Sequence, residues 1–258
     1  MALITLTTDW HMSDFFRGAV IGRIQTLCPG AMVVDLAAGL NPFDVKEAAF
    51  VMKHSFRHYP KGTMHLCGVQ SEVRAKPLLV IDEEQYFLLP DNGMVGMIFP
   101  EGPEKVFRLT TVQENSTFPL LEQMVPAACE LLNGKSPGEI GLPENKMKKF
   151  KPLTPTVEED RITGLVIHID SYQNLVTNIT RELFEQVGKG RNFEIYPGRA
   201  GEMYRITRIS EHYLEMADTD MFALFNSLGL LEIGMVHAQA AKLMNVLPED
   251  PIQITFSS

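Results

Sequence analysis

Apolar residues recur along the first 145 positions in two alternating rhythms. Residues 2–8 are β-branched, partly alternating, and stop at Asp9, which predicts a first strand. Ser13 and Asp14 are helix-start residues, and Phe15, Phe16, Ala19, Val20 and Ile24 follow them at helical spacing. Residues 32–36 predict a second strand. Asn41-Pro42 predicts the start of a second helix, with proline at its first position, continued by Ala48, Ala49, Val51 and Met52. Further strands are expected at 63–69, 78–81, 86–89 and 95–99, and a long helix over 119–132 that stops at Asn133-Gly134. Strand alternating with helix is the pattern of an α/β domain, a sheet with helices on both faces.

The rhythm changes after residue 146. Residues 146–160 are charged, carry prolines and end in Glu158-Glu159-Asp160, the pattern of an exposed linker. Beyond it, strands are expected at 164–169, 175–179, 193–196, 204–209, 213–216, 230–235 and 252–256, with short helices near 181–187 and 239–244. The expected organisation is an α/β domain over 1–150, a linker at 151–160 and a smaller β-barrel or curled-sheet domain over 161–258.

Composition narrows the chemistry. The net charge of −9 argues against a nucleic-acid partner, which needs a basic face. No run of 18 apolar residues exists to span a membrane, and the N-terminus lacks a signal-peptide pattern, so a cytoplasmic protein is expected. Cys28, Cys67 and Cys129 are widely spaced in apolar surroundings, which suits buried thiols. No His/Cys/carboxylate cluster has metal-ligand spacing, so neither a metal nor a separate cofactor is expected.

Four clusters carry polar chemistry. Asp9 follows the first strand and can accept hydrogen bonds from a ribose diol; alone, it reads equally as a helix cap. Asp91-Asn92-Gly93 is by itself a hairpin turn signal. Asp170, Tyr172 and Asn174 share a short loop between two strands, where the amide suits an adenine edge and the ring suits stacking, although an Asx-turn gives the same pattern. Ser227 and Glu232 suit the carboxylate and ammonium of an amino acid, yet Glu232 alternates away from Leu231 and Ile233, onto a face that is usually solvent.

The order of these clusters carries more than any one of them. Thr8-Asp9, Pro42-Phe43-Asp44-Val45, Pro90-Asp91-Asn92-Gly93, the run Asp170 to Asn178 and the run Asn226 to Ile233 follow one another at separations that resemble the S-adenosylmethionine (SAM)-cleaving adenosyltransferases. The nucleophile in that family is hydroxide, chloride or fluoride. The resemblance spans residues 3–256. It implies a Rossmann-like N-terminal domain, a C-terminal β-barrel domain and a homotrimer with sites between neighbouring subunits. By resemblance, Asp9 holds the ribose hydroxyls, Phe43 walls the pocket beside the sulfonium, and Asn174 and the His237 backbone read adenine. Tyr172 stacks on the base, and Ser227 and Glu232 hold the methionine end. Asp170 and Gln70 complete the candidate ligand-binding set.

The chain departs from the family where water is activated. Val69 to Arg74 replaces an Asp-Pro-Gly-Val-Gly run, so Gln70 stands for the family's Asp; Arg74 is the counterpart of its Arg, in an ambiguous register. Pro119 stands where the family has His after Thr-Phe. Neither Gln nor Pro takes a proton from water. His11, His65, Glu72 and His237 are the other titratable candidates, and the catalytic residues stay unassigned. Two functions follow: SAM hydrolysis to adenosine and methionine, or a non-catalytic adenosyl-binding protein. A third option is a different nucleophile recruited by Arg74.

Overall fold

The computed structural model describes residues 2–72, 74–110, 116–198 and 201–257. Contacts divide the chain into two units, Met1–Pro152 and Leu153–Ser258.

The first unit is built on a mixed sheet in the order β2-β1-β3-β5-β4-β6-β7. Its strands are β1 (Leu3–Thr7), β2 (Met32–Ala37), β3 (Met64–Cys67), β4 (Leu78–Asp82), β5 (Gln85–Leu89), β6 (Lys105–Leu109) and β7 (Gly141–Pro143). The strands β2, β1, β3 and β5 are parallel, whereas β4, β6 and β7 pair antiparallel. Helices α1 (Phe15–Leu27), α2 (Val45–Ser55), α3 (Val95–Ile98), α4 (Val125–Leu132) and α5 (Pro137–Ile140) connect them. Strand alternation separates two cores. Ile4, Leu6, Met64, Leu66, Leu79 and Leu88 face α1 and α4, while Cys67, Leu78, Val80, Phe87 and Leu89 face α2 and α3. The chain goes from β1 out to β2 and back past β1 to β3, so the strand order reverses at the carboxyl ends of β1 and β3. That crevice is where open α/β sheets place ligands.

Two expectations for this unit need correction. Residues 95–99 form a helical turn rather than a strand, because Asn92 initiates it: Asn92 Oδ1 accepts from Met94 N (3.2 Å). Consequently Asp91-Asn92-Gly93 joins a strand to a helix and is no hairpin. The second helix begins at Val45, after Pro42, since the Asp44 carboxylate caps it by accepting from Lys46 N (3.0 Å) and Glu47 N (2.9 Å). The long helix over 119–132 is present, but its first turn, Leu120–Met124, is π-helical. The strand β6 had no sequence expectation.

The second unit is a seven-stranded antiparallel sheet curled into a half-barrel. It comprises β8 (Thr156–Val157), β9 (Arg161–Ile169), β10 (Leu175–Thr180), β11 (Asn192–Pro197), β12 (Met221–Phe225), β13 (Leu230–Met235) and β14 (Pro251–Ser257), with helices α6 (Arg181–Gly188) and α7 (Ala240–Met244). Thr180 caps α6 by accepting from Leu183 N (3.1 Å). Inward residues such as Ile162, Val166, Leu175, Ile179, Leu231 and Ile233 form its core. The expected strands at 204–209 and 213–216 are absent. Ile206 makes a single bridge to Ile195, and residues 210–220 form a loop fixed at both ends, by Ser210 N to Ala223 O (2.7 Å) and Val236 N to Asp220 O (3.1 Å). The strand β12, not anticipated, pairs with β13 instead. The three cysteines are buried free thiols. Among the described residues no helix is long and apolar enough to cross a membrane.

Candidate functional site

In the first unit, the crevice gathers residues from three chain segments. Asp9 follows β1, and its Oδ2 accepts from the backbone N–H of Phe43 (2.8 Å). Its Oδ1 accepts from no described group. That contact holds Phe43 at φ +65°, a left-handed conformation that a bulky side chain rarely adopts, with its ring 67% exposed. Gln70 follows β3 with φ +47°. Behind it, buried Asn92 donates from Nδ2 to Val69 O (3.2 Å) and braces that loop. Strain at Phe43 and Gln70, both at the crevice, is the kind of backbone feature that collects at ligand sites.

The crevice wall is aromatic. Trp10 meets Phe118 edge-on with centroids 5.4 Å apart and tilts over Phe16 at 5.4 Å. A Cβ on Gly68 would come within 3.0 Å of Leu120 and 3.1 Å of Trp10, so the bare glycine lets Leu120 and Trp10 pack tightly against the end of β3. Gly68, two residues before Gln70, and Leu120, next to Pro119, therefore share one neighbourhood with Trp10, and it is apolar. Trp10 and Phe118 were missed in the sequence; the available signal was that the only tryptophan of the chain directly follows Asp9.

The titratable candidates of the first unit differ in burial. His65 is fully buried between Thr5 Oγ1 (2.7 Å) and Gln85 Oε1 (2.7 Å) and stacks on Phe87. Burial lowers its pKa to about 4, so it is a neutral core residue, not a neighbour of the crevice. Burial likewise pushes the Cys67 thiol up to about 12. His11 and Glu72 are exposed. Val73, in the run from Val69 to Arg74, lies outside the described residues.

In the second unit, a cavity of about 780 Å³ is lined by Asp170, Tyr172, Asn174, Tyr213, Glu232 and His237, together with Ser171, Leu214, Phe222 and residues 235–239. The β9–β10 turn supplies Asp170, whose Oδ1 accepts from Tyr172 N (2.9 Å) and Asn174 N (2.8 Å). This is the Asx-turn considered as the bland alternative, and it leaves Tyr172 77% exposed over the cavity. Glu232, for which a solvent face was the bland alternative, is only 4% exposed. The loop at 210–220 folds over the outer face of β12 and β13, packing Tyr213 against Phe222 and Met216 beside Phe222, Leu224 and Val236.

Beneath the cavity runs a continuous polar network. Asn174 Nδ2 donates to Glu232 Oε1 (3.1 Å) and Asp170 Oδ2 (3.4 Å), while Asn226 Nδ2 (3.0 Å) and Tyr213 OH (3.3 Å) donate to Glu232 Oε2. All three Glu232 partners are neutral. Burial and the Glu232 carboxylate raise the Tyr213 phenol to about 12, keeping it a donor. His237, at φ +52°, pairs with Asp218 (2.9 Å) at the rim. Ser227 is exposed in the β12–β13 turn, at the opposite end of β13 from His237, and does not line the cavity. The second unit thus unites five of its six expected site residues.

Comparisons with known proteins bear on the family and the fold. Residues 4–141 match the SAM hydroxide adenosyltransferase N-terminal domain, and residues 164–253 match the corresponding C-terminal domain. The chain is 26% identical to an (R)-S-adenosyl-L-methionine hydrolase of Methanocaldococcus jannaschii, covering 98% of this chain and 96% of that protein. It is 24% identical to another such hydrolase, of Salinispora arenicola, over 98% of this chain and 97% of that one. A fluorinase of Actinoplanes sp. is 23% identical over 73% of this chain and 75% of its own. Among solved structures, an uncharacterized conserved protein of Thermotoga maritima superposes with a TM-score of 0.86 at 23% identity, over 98% of this chain and 99% of that one. On the two matched domains and their shared fold, the chain belongs to the SAM hydroxide adenosyltransferase family.

Proposed function

We propose that this protein binds SAM and transfers its adenosyl group to water, giving adenosine and L-methionine. The observation that carries the reading is the cavity of the second unit, where Glu232 lies buried with neutral partners only. A buried carboxylate without a cation favours a ligand that brings positive charge, and a sulfonium with an ammonium brings two. Adenine stacks on Tyr172 and meets Asn174 and the backbone at His237. Asp9 Oδ1 takes the ribose hydroxyls, and Phe43 shields the sulfonium. Since the two sets of residues lie on separate units, the homotrimer implied by the resemblance belongs to this proposal, with each site completed by a neighbouring subunit; light scattering tests it.

The reaction is an in-line displacement. The water oxygen bonds to ribose C5′, the C5′–S bond breaks with its electron pair going to sulfur, and the water proton leaves to solvent. The leaving group is already activated by its charge. The protein's contribution is alignment and exclusion of bulk water, which the Trp10, Phe118 and Leu120 wall supplies.

Gln70 and Pro119 favour a second reading, a binding protein without turnover, because neither accepts a proton from water. One experiment separates the two: titrate the purified protein calorimetrically with SAM and adenosine, then analyse the same samples for products. Binding with adenosine and methionine released above buffer supports the hydrolase. Binding without release supports the second reading, and no binding of either ligand removes both.

A further inference from the structure

Residues 146–150 read in the sequence as the start of an exposed linker, yet the structure straps their backbone to the first unit. Glu144 N donates to Val106 O (2.9 Å), Lys148 N to Asp91 Oδ1 (2.8 Å) and Phe150 N to Gly93 O (3.2 Å). Met147 packs on the core beside α2 and α3. The Phe150 ring covers Gly93, where an added Cβ would sit 2.5 Å from it, and the Phe150 carbonyl covers Gly96 at 2.7 Å. Two bare positions thus form a seat for Phe150.

Arg108, on β6, ties this strap to its surroundings. Its Nε donates to Glu144 Oε2 (2.7 Å), its Nη2 to Asp91 Oδ2 (2.8 Å) and its Nη1 to Lys76 O (3.0 Å). The turn so held, Asp91-Asn92-Gly93, carries Asn92 on its buried side. Asn92 Oδ1 accepts from Met94 N, so the group facing Val69 O is its NH2. A peptide unit is planar, so holding Val69 O fixes the plane from which Gln70 enters its left-handed conformation. One turn is gripped by the strap and itself grips the crevice loop.

We infer that Phe150 and Arg108 are positioning residues for the crevice: they hold the 91–93 turn, and through it Asn92 keeps the backbone at Gln70 in place. The consequence for turnover rests on the hydrolase reading above. A relaxed loop leaves Asp9 and the second unit free to bind SAM, but spoils the alignment that an in-line displacement needs.

The test is Phe150→Ala in the full chain, with Phe150→Tyr as the variant that keeps the ring. Gly96→Ala, whose Cβ would displace the Phe150 carbonyl, unseats the strap from its other side and serves if Phe150→Ala does not fold. Trp10, the chain's only tryptophan, packs on Gly68 just before Val69 and reports on the crevice. Well below the melting temperature, acrylamide quenching of Trp10 should rise in Phe150→Ala. The kcat for SAM cleavage should fall roughly tenfold with KM within about twofold of wild type, and Phe150→Tyr should restore both. A lower melting temperature with kcat or Trp10 quenching unchanged overturns the inference, as does a raised KM at unchanged kcat, which would mark a loss of binding. If wild-type protein releases no adenosine, the hydrolase reading fails separately, and Trp10 alone decides: quenching that rises and is restored by Phe150→Tyr upholds the positioning role, and unchanged quenching removes it.

Discussion

The two units prepare for a ligand in different ways. The crevice of the first is made of backbone: Phe43 and Gln70 are held in left-handed conformations, and Asp9 Oδ1 accepts from no described group. The cavity of the second is made of side chains, with Asp170, Asn174, Glu232, Asn226 and Tyr213 joined in one hydrogen-bonded series. Strained loops at strand ends tolerate local change, because the sheet below does not depend on them. A buried network tolerates little, because each group's partner fixes the next. The first unit is therefore expected to keep its fold when its site is damaged, and the second to lose both together.

The largest expected effect concerns the buried part of the first unit, away from its crevice. His65 titrates at about 4 when folded against an ordinary 6.5. Between these values the unfolded chain binds the extra proton, so stability is complete above pH 6.5 and falls as pH drops toward 4. The full loss is about 3 kcal/mol. Urea unfolding at pH 7 and pH 4.5 should show it, and His65→Gln should flatten the profile.

Asp9→Ala should weaken SAM binding about thirtyfold by removing a charged acceptor. Its melting temperature should stay near wild type, since only the Phe43 N–H loses a partner. A fall in stability as large as the fall in affinity would erase the contrast between the units.

Gly234→Ala is the counterpart in the second unit. Its Cβ displaces Asn174 and Phe222, and overpacking of this kind costs about 2 kcal/mol. Thermal unfolding and adenosine affinity should decline together. Tyr213→Phe is the mildest: it removes a 3.3 Å donor from Glu232, while two amides remain. A loss of about 0.5 kcal/mol is expected by chemical denaturation. A larger loss would mean that the loop at 210–220, more than the amides, keeps Glu232 dry.

The sequence by itself determined the two-part organisation, most strands and helices of the sheet's covered faces, and the family. These are properties of local periodicity and of motif order, since a strand buried between helices announces itself in its own residues. It also named Asp170, Tyr172 and Asn174 as a group, because they are neighbours in one turn. Tertiary structure decided the rest. Residues 95–99 are apolar enough for a strand, and Asn92 makes them a helix. Glu232 alternates as a solvent-facing residue should, and a loop some 15 residues earlier in the chain covers it. His65 looks like a candidate base until Thr5, Gln85 and Phe87 close around it. Burial and the direction of a hydrogen bond depend on what the remainder of the chain lays over a residue, and no pattern within a segment records that.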